Sequence, residues 1–115
     1  MSEEIELKEI EEIPVLQIAG YFNAELGVKV TAMVDTLLQK GKNRIVIDLS
    51  QCKVVNSPGL ASMIDLSFKV IDDFQGKVVI AGVDQLKINI FTTAGLFPLA
   101  GTAANAPEAC KKIKG

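Results

Sequence analysis

An α/β fold with a mainly parallel central sheet is predicted by three observations. Strand-like and helix-like stretches alternate along the chain after an initial pair of strands. Two short runs, Arg44-Ile45-Val46-Ile47-Asp48-Leu49 and Val78-Val79-Ile80-Ala81-Gly82-Val83, are apolar on both faces, as in a sheet covered by helices. The helical stretches open on residues able to cap them and stop near glycines. At 115 residues the chain is expected to form one domain, residues 1–115.

The elements follow in order. Residues 5–10 alternate loosely between apolar and charged side chains, and residues 14–22 are apolar, so two strands joined by an acidic turn at Glu11-Glu12 are expected. The charges on the first strand suit a guarded edge. Asn23 can cap a helix whose apolar stripe is Val30, Met33, Val34, Leu37 and Leu38, ending at Gly41. A strand over 44–49 leads through a polar connection to a helix over 58–73, with stripe Leu60, Met63, Ile64, Phe68 and Ile71. After the strand at 78–83, Asp84 can cap a helix over 85–93, and a short strand is expected at 97–101. Asn105 or Thr102 caps the last helix, with Pro107 in its first turn and Lys111, Lys112 and Lys114 at its end, where they complement the helix dipole.

Composition narrows the function. Twelve basic and 14 acidic residues give a net charge of −2, and no basic run marks a nucleic-acid surface. Mean hydropathy of +0.32 is ample for a core. The start Met-Ser-Glu-Glu-Ile-Glu is acidic and does not read as a secretory signal. Residues 88–107 carry no charge, but Asn, Thr, Gly and Pro interrupt them, so core packing rather than a membrane span is expected for Phe91, Leu96 and Phe97. Cys52 and Cys110 have no nearby partner and histidine is absent, so no metal site or disulfide is expected, and a reducing cytoplasm fits. Without histidine the commonest general base is missing as well, which weighs against catalysis.

The stretch Asn56-Ser57-Pro58-Gly59-Leu60 concentrates the chemistry. Ser57 is expected to be the N-cap of the second long helix, with Pro58 at its first position. The same exposed hydroxyl could instead, or also, receive a phosphoryl group. Asp48 could approach Ser57 as a carboxylate partner, though binding backbone amides of the following loop is the commoner role. Ser57-Pro58-Gly59 is not a nucleophile elbow, because Val55 stands where that motif needs glycine. No phosphate-binding glycine loop is present.

These residues resemble the STAS domain family, and more narrowly its free-standing bacterial anti-sigma factor antagonists. The segment Val46-Ile47-Asp48-Leu49-Ser50, then Asn56-Ser57-Pro58-Gly59-Leu60, is similar to the family's strand–loop–helix signature. Ile18-Ala19-Gly20-Tyr21-Phe22-Asn23-Ala24 resembles its Gly-x-Leu-Asp strand end, and Leu86 to Pro98 its third helix. The resemblance implies a mixed sheet of four to five strands with about four helices packed mainly on one side. It implies a cytoplasmic, non-enzymatic protein without cofactor, a monomer or weak dimer, that binds an anti-sigma factor acting also as a serine kinase. Phosphorylation at the position of Ser57 would release that partner, and a phosphatase would reset it. On that reading Ser57 is the switch, and the partner-binding residues expected around it are Asn23, Asn56, Ser57, Pro58, Gly59, Ser62, Asp65, Leu66 and Lys69. The family usually has Asp where Asn23 and Asn56 stand, so two negative charges are absent here, and Pro58 removes a backbone donor. A rival reading keeps the fold but makes the chain an accessory subunit of a membrane transport ATPase or a signalling assembly. A third makes it a small nucleotide-binding or hydrolytic protein.

Overall fold

The computed structural model describes residues 4–97 and 99–115, so part of the acidic N-terminal start, and Pro98 within the expected last strand, lie outside it. Strands β1 (Ile5–Ile10) and β2 (Ile13–Phe22) form an antiparallel hairpin. Its turn is Glu11-Glu12, both with positive φ (49° and 72°), the twist that two-residue hairpin turns require. Helix α1 (Ala24–Gln39), strand β3 (Arg44–Val55), helix α2 (Ser57–Phe68), strand β4 (Lys77–Ala81), helix α3 (Gln85–Ala94), strand β5 (Gly101–Ala103) and helix α4 (Ala106–Lys114) follow. A π-helical turn, Lys69–Asp73, prolongs α2, so the expected run to Asp73 is continuous but changes winding.

The sheet order is β1-β2-β3-β4-β5, with β2 through β5 parallel. Parallel neighbours need crossovers, and these are right-handed almost without exception. Because the strand order advances in one direction only, the three crossover helices fall on the same face. Leu26, Val30, Val34, Leu37 and Leu38 of α1, Met63 and Leu66 of α2, and Phe91 of α3 accordingly share one core with Leu16, Ile18, Phe22, Ile45, Ile47, Leu49, Val78 and Ile80. Helix α4 crosses over to nothing and is free to cover the opposite face. There Ala109, Cys110 and Ile113 pack on Ile13, Val15, Val46, Val79 and Ala81. The alternation of Ile45, Val46 and Ile47 between the two cores explains why the run is apolar on both sides.

Three expectations change. The strand at 44–49 does not stop at the polar residues but follows β2 to Val55, with register shifts opposite Gln17/Ala19 and Gly20/Tyr21 that absorb the extra residues as bulges. The last strand begins at Gly101, where the expected one ends, because Leu96, Phe97 and Ala100 turn into the main core instead. Phe68 of the expected apolar stripe is half exposed, while Leu66 of α2 and Val70 of the π-helical turn are buried. Phe91, Leu96 and Phe97 are core residues, and both cysteines are free and buried. Among the described residues no helix is long and apolar enough to cross a membrane, and no cluster of potential metal ligands occurs.

Candidate functional site

Phe22 and Val55 are register partners at the ends of adjacent parallel strands, and the residue after each is an asparagine. Each asparagine caps the helix that follows. Asn23 Oδ1 accepts from Leu26 N (3.0 Å) at the start of α1, and Asn56 Oδ1 accepts from Gly59 N (2.8 Å) at the start of α2. Two helix N-termini therefore open side by side at the C-terminal edge of the sheet, the edge where open α/β sheets carry their sites.

The expected cap at Ser57 is corrected by this geometry. Asn56 is the cap, Ser57 is the first helical residue and Pro58 the second. The donors a Ser57 cap would meet are already taken: Gly59 N by the Asn56 side chain and Leu60 N by the Asn56 carbonyl (2.9 Å). Pro58 has no N–H to offer. The Ser57 hydroxyl is thus exposed and relieved of capping duty.

Gly59 lets the helix start sit on the end of β2. A Cβ there would lie 2.3 Å from the carbonyl oxygen of Phe22 and 2.7 Å from its ring. Asn56 N donates to that same carbonyl (3.0 Å), which locks the β3–α2 junction onto β2. The second half of the Asn56 amide reaches the surface, where Nδ2 donates to the hydroxyl of Tyr21 at 3.1 Å. Tyr21 is 50% exposed, and its register partner Val54 52%. Neither was among the residues expected from sequence. The available signal was Gly20, whose φ of +80° sits at a register shift just before Tyr21.

The other expected contact residues divide. Asp65 is exposed on α2. Ser62 is half-buried against α1, where the Ser62 side chain fills the space over Gly27. Lys69 Nζ ion-pairs with Asp35 of α1. Leu66 cannot be a contact residue in this fold: it is 2% exposed, because α2 turns that side toward the sheet. Asp48 is also not beside Ser57. It lies buried inside β3, where its Oδ1 accepts from Ser50 N (2.9 Å) and holds the bulge. The seven strand residues from there to Val55 span roughly 20 Å. Nucleophilic activation of Ser57 by Asp48 is therefore excluded by distance. Cys52, near the same sheet end, is a buried free thiol whose Sγ donates to the Val54 carbonyl (3.4 Å), and burial pushes its pKa up more than the Phe22 backbone and Lys87 pull it down.

A family model described as STAS domain matches residues 4–109. Among solved structures, the unphosphorylated anti-sigma factor antagonist SpoIIAA is similar at 13% identity and TM-score 0.76, covering 96% of this chain and 98% of that one. RsbS of Moorella thermoacetica is similar at 18% identity and TM-score 0.81, covering 97% and 96%. A sulfate transporter family protein of Wolinella succinogenes is similar at 11% identity and TM-score 0.77, covering 93% and 88%. No curated protein sequence matches the chain.

Proposed function

Because the chain belongs to the STAS domain family, we propose that it is an anti-sigma factor antagonist whose docking loop is built on Ser57. It binds an anti-sigma factor that is also a serine kinase and so frees a sigma factor. The observation that carries this reading is the exposed Ser57 hydroxyl at the first position of α2, held by a junction that its neighbours Asn56 and Gly59 make rigid. In this reading the protein works in the cytoplasm, catalyses nothing itself, and needs no cofactor. Asn56, Ser57, Pro58 and Gly59 form the loop, with Asn23 on the neighbouring strand end at the start of α1 and Asp65 further along α2. SpoIIAA, whose fold this chain shares, has been solved in a phosphorylated form, which supports reading Ser57 as a phosphorylation switch.

The physics of the switch is asymmetric. A phosphoryl group on Ser57 brings about −1.5 to −2 charges to the positive end of the α2 dipole, where the helix itself is stabilised. The partner that had covered a neutral hydroxyl meets an anion instead and is expelled. Ser57→Asp reproduces that charge in part. Isothermal titration against the host's anti-sigma factor kinase is expected to give at least tenfold weaker binding for Ser57→Asp, about 1.4 kcal/mol, with no loss of melting temperature. Equal affinity for the two proteins would sink the switch. Incubation with that kinase and ATP should place phosphate on the Ser57 peptide by mass spectrometry.

The likeness to a sulfate transporter family protein favours a second reading, an accessory subunit of a membrane transport assembly. Co-purification with a transport ATPase, without binding to an anti-sigma kinase, would select it.

A further inference from the structure

The hydrogen bond between Asn56 and Tyr21 has a direction that chemistry alone decides. Gly59 N–H is a donor, so the Asn56 atom facing it must be the carbonyl oxygen. The amide nitrogen is left for Tyr21, and it has no lone pair to offer. The Tyr21 oxygen therefore accepts, and its own O–H proton is turned away from Asn56. The ring is half exposed, so that proton faces outward, at the rim of the Ser57 loop and beside the exposed Val54. The surroundings favour a negative acceptor. Both nearby helix N-termini are capped by neutral amides rather than carboxylates, the one acidic side chain in their first turns, Glu25, is exposed and faces Lys29 (3.9 Å), and the exposed Lys53 precedes Val54.

We propose that Tyr21 is a directed hydrogen-bond donor of the docking surface, aimed by Asn56, and that it takes a carboxylate of the partner. This rests on the reading that the Ser57 end docks an anti-sigma factor kinase. It assigns a role to the neutral residue at position 56. An aspartate there would keep the cap with one oxygen, but its other oxygen would accept the Tyr21 proton and turn it inward. Tyr21→Phe and Asn56→Asp therefore remove the same proton from the surface by different routes.

The test is titration of the host's anti-sigma factor kinase with wild type, Y21F, N56D and the double variant, each first checked for native melting. Y21F and N56D are each expected to weaken binding about tenfold, the scale of one hydrogen bond to a charged acceptor. The double variant should bind no more weakly than N56D alone; losses that add would mean that the two residues act independently and would overturn the proposal. Y21F binding within about twofold of wild type overturns the proposal. Should the wild-type chain itself not bind the kinase, the proposed function fails, and the proton's direction is decided without a partner. Tyr21 is the only tyrosine in a chain without tryptophan, so tyrosine emission comes from this one phenol. Emission must fall in N56D, where a carboxylate holds the proton as an excited-state acceptor. Equal emission in N56D and wild type overturns the proposal.

Discussion

Asn56 joins more of the site than any other residue. Its side chain caps α2, its amide nitrogen meets Tyr21, and its backbone N–H bonds to Phe22. Replacement by alanine leaves the Gly59 N–H without its acceptor and is expected to cost about 1 kcal/mol, lowering the melting temperature by about 4 °C. A thermal melt followed by circular dichroism checks this. The sequence placed a helix start within one residue of its true position, yet it assigned the cap to Ser57. Both Asn and Ser are good caps, and Pro58 is compatible with either the first or the second helical position. Only the fold decides, through the register that ties Asn56 N to Phe22. Leu66 was misjudged for a related reason. A helix that lies on a sheet and also against α1 buries a wide arc, and the spacing of its apolar residues does not say which flank meets which neighbour.

Helices α1 and α2 touch through a glycine that no motif marks. A Cβ on Gly27 would lie 2.3 Å from Ser62 Oγ and 2.7 Å from Ser62 Cβ. Gly27→Ala gains helix propensity but overpacks this contact, and the net expectation is a loss of about 1 kcal/mol, with α2 and the Ser57 loop displaced. Urea denaturation measures the loss, and amide chemical shifts around Ser57 report the displacement. At the start of α3, the carboxyl of Asp84 is held below its ordinary range, first because Lys87 N–H donates to it (2.8 Å) and also through the Lys87 charge. A carboxyl favoured in its ionised form adds stability above the unfolded value of about 3.9, and the gain is lost as pH falls through the folded value. Asn also caps but does not ionise. Any advantage of wild type over Asp84→Asn at neutral pH should therefore shrink below about pH 4, as urea midpoints at neutral and acid pH will register. The caps at Asn23 and Asp84, and Asn105 as one of two candidates with Thr102, were legible in sequence because capping is local: an acceptor side chain three residues before the N–H it meets.

At the scale of the molecule, one short helix covers a whole face of the sheet. Ile113, at 1% exposure, is the last large side chain of the α4 core. Ile113→Ala is expected to cost about 2–4 kcal/mol, a large share of the stability of a domain this size, and to lower the urea midpoint accordingly. The outer helix is held at its end by Lys114 and Glu11, an exposed pair that contributes little by itself. By itself, the sequence determined the class of the fold, the order of its elements and the place of the serine, since periodicity, caps and turns are written within a few neighbouring residues. It could not decide that β3 runs on to Val55, that Tyr21 meets Asn56, or that Ser62 and Lys69 turn toward α1. Those outcomes depend on strand register and helix contact between residues some 34 or 35 positions apart. Only tertiary structure could decide them, because the energy of a long-range contact is carried by both partners and is visible in neither one alone.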